Sequence, residues 1–194
     1  TLSVAGAGTF ASTVTVVGAM SVGGALSVGG ATNLLGTVTV AGATGFLGTV
    51  RVSGATSLVA GLVVGGTATV VGAMSIGGAL SVGGATNLLG TVTVAGATGF
   101  LGTVRVSGAT SLVAGLVVGG TATVVGAMSV GGALSVGGAT NLLSTVTITG
   151  ATGFLSTVRV SGAVTMASTL DVAGNVSVGG TIFATGGITF DGDV

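Results

Sequence analysis

Eight amino acids are missing from the 194 residues: proline, cysteine, histidine, tryptophan, tyrosine, lysine, glutamate and glutamine. Without His, Cys, Lys, Glu or Tyr, almost every general acid, general base, nucleophile and soft metal ligand is gone, and the chain reads as a non-enzyme. Charge is nearly absent too: three cations, Arg51, Arg105 and Arg159, balance three anions, Asp171, Asp191 and Asp193, for a net charge of zero. Three cations cannot neutralise a phosphate backbone, so no nucleic-acid partner is expected. The missing cysteine excludes a disulfide framework and thiol chemistry. No cofactor and no small-molecule substrate is expected.

What is present sets two traps. A mean hydropathy of +1.11 invites a reading as membrane spans. The apolar residues are interleaved with 42 glycines and with Ser or Thr every few positions, a poor composition for a lipid-exposed helix, and no membrane insertion is expected. Glycine at this level also suggests collagen, which needs proline and a strict period of three, and proline is absent. High apolar content with little charge argues against disorder. Without an initiator Met, a signal peptide or a charged tail, the sequence reads as a piece of a longer chain.

Repetition decides the architecture. Val16 to Thr69 recurs as Val70 to Thr123 with Val22 replaced by Ile76, and a third copy runs from Val124 to about Ala163 with small changes (Ser144, Ile148, Thr149, Ser156). The repeats are thus 16–69, 70–123 and a partial 124–163, followed by a divergent end, 164–194, within one continuous domain, 1–194. The long period is 54, and inside it runs a beat of six: TLSVAG, AGTFAS, TVTVVG, AMSVGG, ALSVGG, ATNLLG. The sixth place is Gly in 26 of 32 hexads and otherwise Ala or Ser, so a sharp bend is expected there. The fourth place is a large apolar residue everywhere but Ala184.

Second and fourth places are mostly apolar, while the third is usually Ser, Thr, Asn or Arg. That is the alternation of a short strand with one buried face. Glycine after it is expected to supply backbone angles closed to other residues. Such a strand buries its face only by stacking on its neighbours, and three hexads would close a triangular turn of about 18 residues. The long period is a whole multiple of that turn. The expected fold is therefore all-β, a triangular β-helix, with fourth-place Val16, Val22, Val28, Leu34, Val40, Phe46, Val52, Leu58 and Val64 in its core. Fifth places should point outward, yet Val17, Leu35, Leu47, Val59 and Val71 stand there. Either the corner tucks them in or the surface is apolar and packs against another chain.

Runs such as Val28-Gly-Gly-Ala-Thr-Asn33 and Val64-Gly-Gly-Thr-Ala-Thr69 resemble the hexapeptide repeat of left-handed β-helices, although Leu26 and Met20 stand where that pattern has a small residue. The alternation of ATNLLG with TVTVAG, and of ATGFLG with TVRVSG, is more similar to the shaft repeats of bacteriophage and large-virus tail fibres and surface fibres. That resemblance implies a structural fibre shaft that holds an adhesive tip away from a virion, phage tail or cell surface. It implies an extracellular or virion-surface location, and as partners other copies in a homotrimer together with other fibre or virion proteins.

Two architectures share these hexads. A single chain coiling on itself, the left-handed β-helix alternative, would form a rod of ~50 Å, whereas three interwound chains would reach ~150 Å. A solitary solenoid needs polar caps, and neither end of the sequence supplies one, which favours the interwound trimer.

Individual side chains have plain readings beside functional ones. Arg51, Arg105 and Arg159 recur 54 apart at an outward third place, as a stripe toward an anionic glycan or as guards against side-by-side strand pairing. Asp191-Gly-Asp193 could contribute to a calcium site but reads as a solvated terminus, with no metal expected, and Asn175-Val-Ser177 is a glycosylation sequon. Gly23-Gly24 resembles a phosphate loop but belongs to the hexad corner, and Phe10, Phe46, Phe100, Phe154 and Phe190 read as core filling. The alternative function is an ice-binding or other surface-binding β-solenoid. It rests on the pairs Thr13/Thr15 and Thr67/Thr69, which Ala31 with Asn33 and Thr49 with Arg51 interrupt. A hexapeptide acyltransferase is excluded by the lack of histidine.

Overall fold

The computed structural model describes residues 1–172 and 176–178. Every hexad in that range supplies one strand of three residues, at its second to fourth places, from β1 (Leu2–Val4) to β30 (Val176–Val178). Every third strand belongs to the same sheet. Three ten-stranded parallel sheets result, and they begin with β1, β2 (Gly8–Phe10) and β3 (Val14–Val16). They are called here the first, second and third faces. The register advances by one turn at each step, as in Met74↔Val92, Ser75↔Thr93 and Ile76↔Val94, so a place in the hexad keeps its place on the surface all along the rod. The chain is a triangular β-solenoid. Ten levels at ~4.8 Å make it roughly 43 Å long over the described strands.

Each turn is hydrogen-bonded to the next turn of the same chain. The Leu80 N–H donates to the Ala97 carbonyl of the next turn at 3.0 Å, and the Gly83 N–H donates to the Val64 carbonyl of the turn before at 2.8 Å, so the strand is paired on both edges within the molecule. Interwound chains would need those same groups for partners in other chains. The structure therefore takes the single-chain architecture, not the interwound arrangement that the lack of caps favours.

Glycine at the sixth place has a different cause from the one expected. No described glycine has a φ in the left-handed region; the corners of successive turns simply lie backbone on backbone. A Cβ on Gly42 would stand 2.5 Å from the Ala25 nitrogen, and one on Gly30 would stand 2.6 Å from the Ser12 carbonyl carbon. At this closeness the corner amides bond to one another: Gly24 N–H to Gly6 at 3.0 Å, Gly42 to Gly24 and Gly96 to Gly78 at 3.1 Å. Where alanine takes the sixth place the bond stretches, to 3.4 Å from Gly78 to Ala60 and from Gly132 to Ala114.

The core explains why the long period is three turns. At each level one fourth-place side chain comes from each face, and at each of the first nine levels one of the three is Leu or Phe. Leu34 on the third face shares its level with Val22 and Val28, Phe46 on the second with Val40 and Val52, and Leu58 on the first with Val64 and Val70. The bulky residue thus moves one face per turn and returns after one long period, as Leu88, Phe100 and Leu112. The triangle takes one further methylene beside the bulky residue, since Ile76 shares a level with Leu88 and Ile148 with Phe154, but no described level holds a second Leu or Phe. Of the nine expected core residues, all but Val16 are buried; Val16, in the first turn, is covered by other turns on one side only and is half-buried.

Second places balance the fourth. Thr32, Thr44, Thr56, Thr86, Thr98, Thr110, Thr140 and Thr152 accompany the large Leu and Phe residues, and all are buried with hydroxyls that find no partner. Packing explains the size of these threonines and not their oxygen. Thr98→Val keeps the branched shape and removes an unpaired hydroxyl, so it is expected to stabilise the rod by about 1 kcal/mol. Chemical denaturation of the variant beside the parent checks this.

Candidate functional site

With second and fourth places buried, the surface is written in the third place, and each face has its own column. The third face runs Thr15, Asn33, Arg51, Thr69, Asn87, Arg105, Thr123, Asn141, Arg159. The second face runs Thr9, Ser27, Gly45, Val63, Ser81, Gly99, Val117, Ser135, Gly153, Asp171. The first face runs Ser3, Ser21, Thr39, Ser57, Ser75, Thr93, Ser111, Ser129, Thr147, Thr165.

The three arginines do line up on one face, three turns apart, or about 14 Å at the strand spacing. Each has an asparagine on one side in the register, as in Asn33↔Arg51 and Asn87↔Arg105, and two of them have a threonine on the other, as in Arg51↔Thr69 and Arg105↔Thr123. Around Arg105 lies a shallow open depression of about 520 Å³, lined among others by Thr67, Thr69, Asn87, Thr103, Thr121 and Thr123. The guard role does not apply to these arginines: the strand of Arg51, Val50–Val52, is paired on both sides and is no sheet edge.

Inside the prism, two apolar voids of about 30 and 20 Å³ follow the axis, both far too small for a ligand. Among the described residues no three His, Cys, Asp or Glu side chains come together, and no helix is long and apolar enough to cross a membrane. Asn175, Asp191, Asp193 and Phe190 lie outside the described residues. Phe46, Phe100 and Phe154 are buried and Phe10 is half-buried, as core filling requires. The Gly24 N–H is spent on the Gly6 carbonyl, so this corner has no free amide there for a phosphate.

Fifth-place apolar residues are not tucked in. Val17 is 74% exposed and Leu47 76%. The corner that follows the third face carries Val17, Leu35, Val71, Leu89, Val125 and Leu143, with Ser53, Ser107 and Ser161 at every third level. It forms an apolar stripe beside the first face.

The Thr pairs are interrupted as expected, but the first face carries a different feature, an unbroken single column of Ser and Thr. The pairs Thr13/Thr15 and Thr67/Thr69 belong to the third face, where Asn and Arg interrupt them. Hexads that share a face are one full turn apart, as Ser57 is from Ser75, and only at that spacing does the unbroken Ser/Thr column emerge. No protein family, no curated protein and no solved structure matches this chain.

Proposed function

We propose that the chain is a rigid, non-catalytic spacer, the shaft of an extracellular or virion-surface fibre. What supports this reading is the continuity of the three sheets: among the described residues ten levels follow one another, and every strand pairs with the strand three further along the chain. Each 54-residue block then acts as a length unit of three turns. The likeness of its hexads to phage and viral fibre shafts supports the same reading. The apolar corner beside the first face is where such a rod would meet other copies or other fibre proteins, in a trimer of finished coils.

A spacer has a property that no binding or catalytic protein need share, because whole repeats can be removed without damage. Deleting 70–123 joins Thr69 to Val124, which stands where Val70 stood, so every face and every level stays in register. The shortened chain is expected to fold with unchanged circular dichroism and to lose about 14 Å of length in electron micrographs or small-angle scattering. A chain that collapses or aggregates after this deletion would contradict the spacer reading.

A further inference from the structure

We infer that the first face is an ice-binding surface, with ordered water at the ice lattice as its ligand. Its third-place column is hydroxyl-bearing at all ten levels, from Ser3 to Thr165, and every member is exposed. The column extends beyond the copied blocks at both ends, through Ser3 before Val16 and Thr165 after Ala163, whereas the second face changes there to Thr9 and Asp171, where the repeat has Val63 and Val117. The third face also keeps Thr15 and Ser177 at its ends, but Asn and Arg break its column in between, so only the first face is hydroxyl-bearing throughout.

Three features of that face bear on water. First, the register Ser57↔Ser75, Ser75↔Thr93 and Thr93↔Ser111 sets successive hydroxyls one strand apart, ~4.8 Å. That spacing lies within a few tenths of an ångström of the oxygen repeat along the a axis of hexagonal ice. Secondly, first places on this face are only Ala or Thr, two residues along the strand from the column and so roughly 6.6 Å from it. Their methyl groups border the hydroxyl row, and Thr37/Thr39, Thr91/Thr93 and Thr145/Thr147 supply hydroxyls in both rows every third turn. Thirdly, among the described residues the face carries no charged side chain, since the arginines lie on the third face and Asp171 on the second. Hydroxyls anchor water by hydrogen bonds while neighbouring methyls restrict the orientation of the water between them. A strongly hydrated charge would break that order.

This inference is independent of the spacer reading: a rod of the same length and stability can carry the face or lack it. The test is thermal hysteresis of the full chain, together with adsorption of the labelled chain to a growing ice hemisphere. The parent is expected to hold a freezing gap and to enter the ice. Ser75→Lys with Thr93→Lys places two charges in the column and is expected to reduce the gap to less than half, whereas Ser81→Lys with Ser135→Lys on the second face leaves it unchanged. Thr93→Val, which keeps the shape, separates hydroxyl from methyl contributions if the lysine variant fails to fold by circular dichroism, and it is expected to weaken adsorption. A parent that shows no hysteresis and stays out of ice overturns the inference. So does equal loss in the second-face control, or adsorption to crystalline cellulose or chitin without activity on ice.

Discussion

Val94→Asp is expected to open the rod at its middle. Val94 is 0% exposed and shares its level with Phe100 and Val106, so the new carboxylate finds neither water nor a partner. An unpaired buried ion costs several kcal/mol even after relaxation. Solenoid stability is close to a sum over neighbouring repeats, so the damage is felt first in the turn that holds it and in the two that flank it. That turn, residues 91–108, also carries Arg105. Because the chain has no lysine, trypsin can cut only after Arg51, Arg105 and Arg159, and in the parent all three sit in paired strands. The variant is expected to be cut first after Arg105, which releases 1–105. Equal rates at the three arginines would show that the defect is not local.

The same variant has a pH signature. Burial raises the pKa of a carboxyl group above its unfolded value of about 3.9. Below that value both states hold the proton and the ionisation penalty vanishes. As pH rises past it the unfolded chain ionises first, so stability relative to the parent falls until the pKa of the folded state is reached. Denaturation midpoints of variant and parent, compared across acid and neutral pH, are expected to diverge toward neutrality.

Gly42→Val has the second largest expected effect, and it tests the corner. The added Cβ alone would meet the Ala25 nitrogen at 2.5 Å, with backbone on the far side that cannot rotate away. Alanine at the equivalent corner, Ala60, already goes with a bond of 3.4 Å where Gly24 to Gly6 has 3.0 Å. Valine brings two more carbons, and the sixth place never holds a branched residue anywhere in the sequence. A loss of about 1–3 kcal/mol is expected from overpacking, with trypsin now cutting first after Arg51, which lies in the turn of Gly42. Gly45→Thr is the control. A Cβ there meets nothing within 4 Å, and the position points outward in a strand, so its stability should hold or rise slightly.

These two variants also mark how far the sequence can be read. Val94 is legible as core because every fourth place repeats the same inward geometry, and a period of two within a period of six leaves no other face to bury. Gly42 is legible as a corner but for the wrong reason, since a beat of glycines looks the same whether it serves unusual dihedral angles or close stacking. Closure is not legible at all. A residue in the next turn and the same residue in a partner chain present identical neighbours to the strand, so the choice between one chain and three rests on pairing that composition does not encode. The Ser/Thr column is easy to miss in the sequence because its members are never adjacent. The expected turn of three hexads already stacks Ser57, Ser75 and Thr93, 18 residues apart, but the Thr-x-Thr pairs within single hexads are the stronger local signal and they fall on the third face.

The central claim is that each turn pairs with the next turn of its own chain, and a two-thiol crosslink tests it most directly. Val63 and Ser81 are register partners, both exposed on the second face, and the sequence holds no other cysteine to compete. In the double variant Val63→Cys/Ser81→Cys, a short thiol-reactive linker should join the two within one chain, across ~4.8 Å, and the product should run at monomer mass under denaturing conditions. If the chains were interwound, the nearest thiol to the one at position 63 would belong to another molecule. Products of two and three chain masses, with no internal link, would contradict the single-chain solenoid.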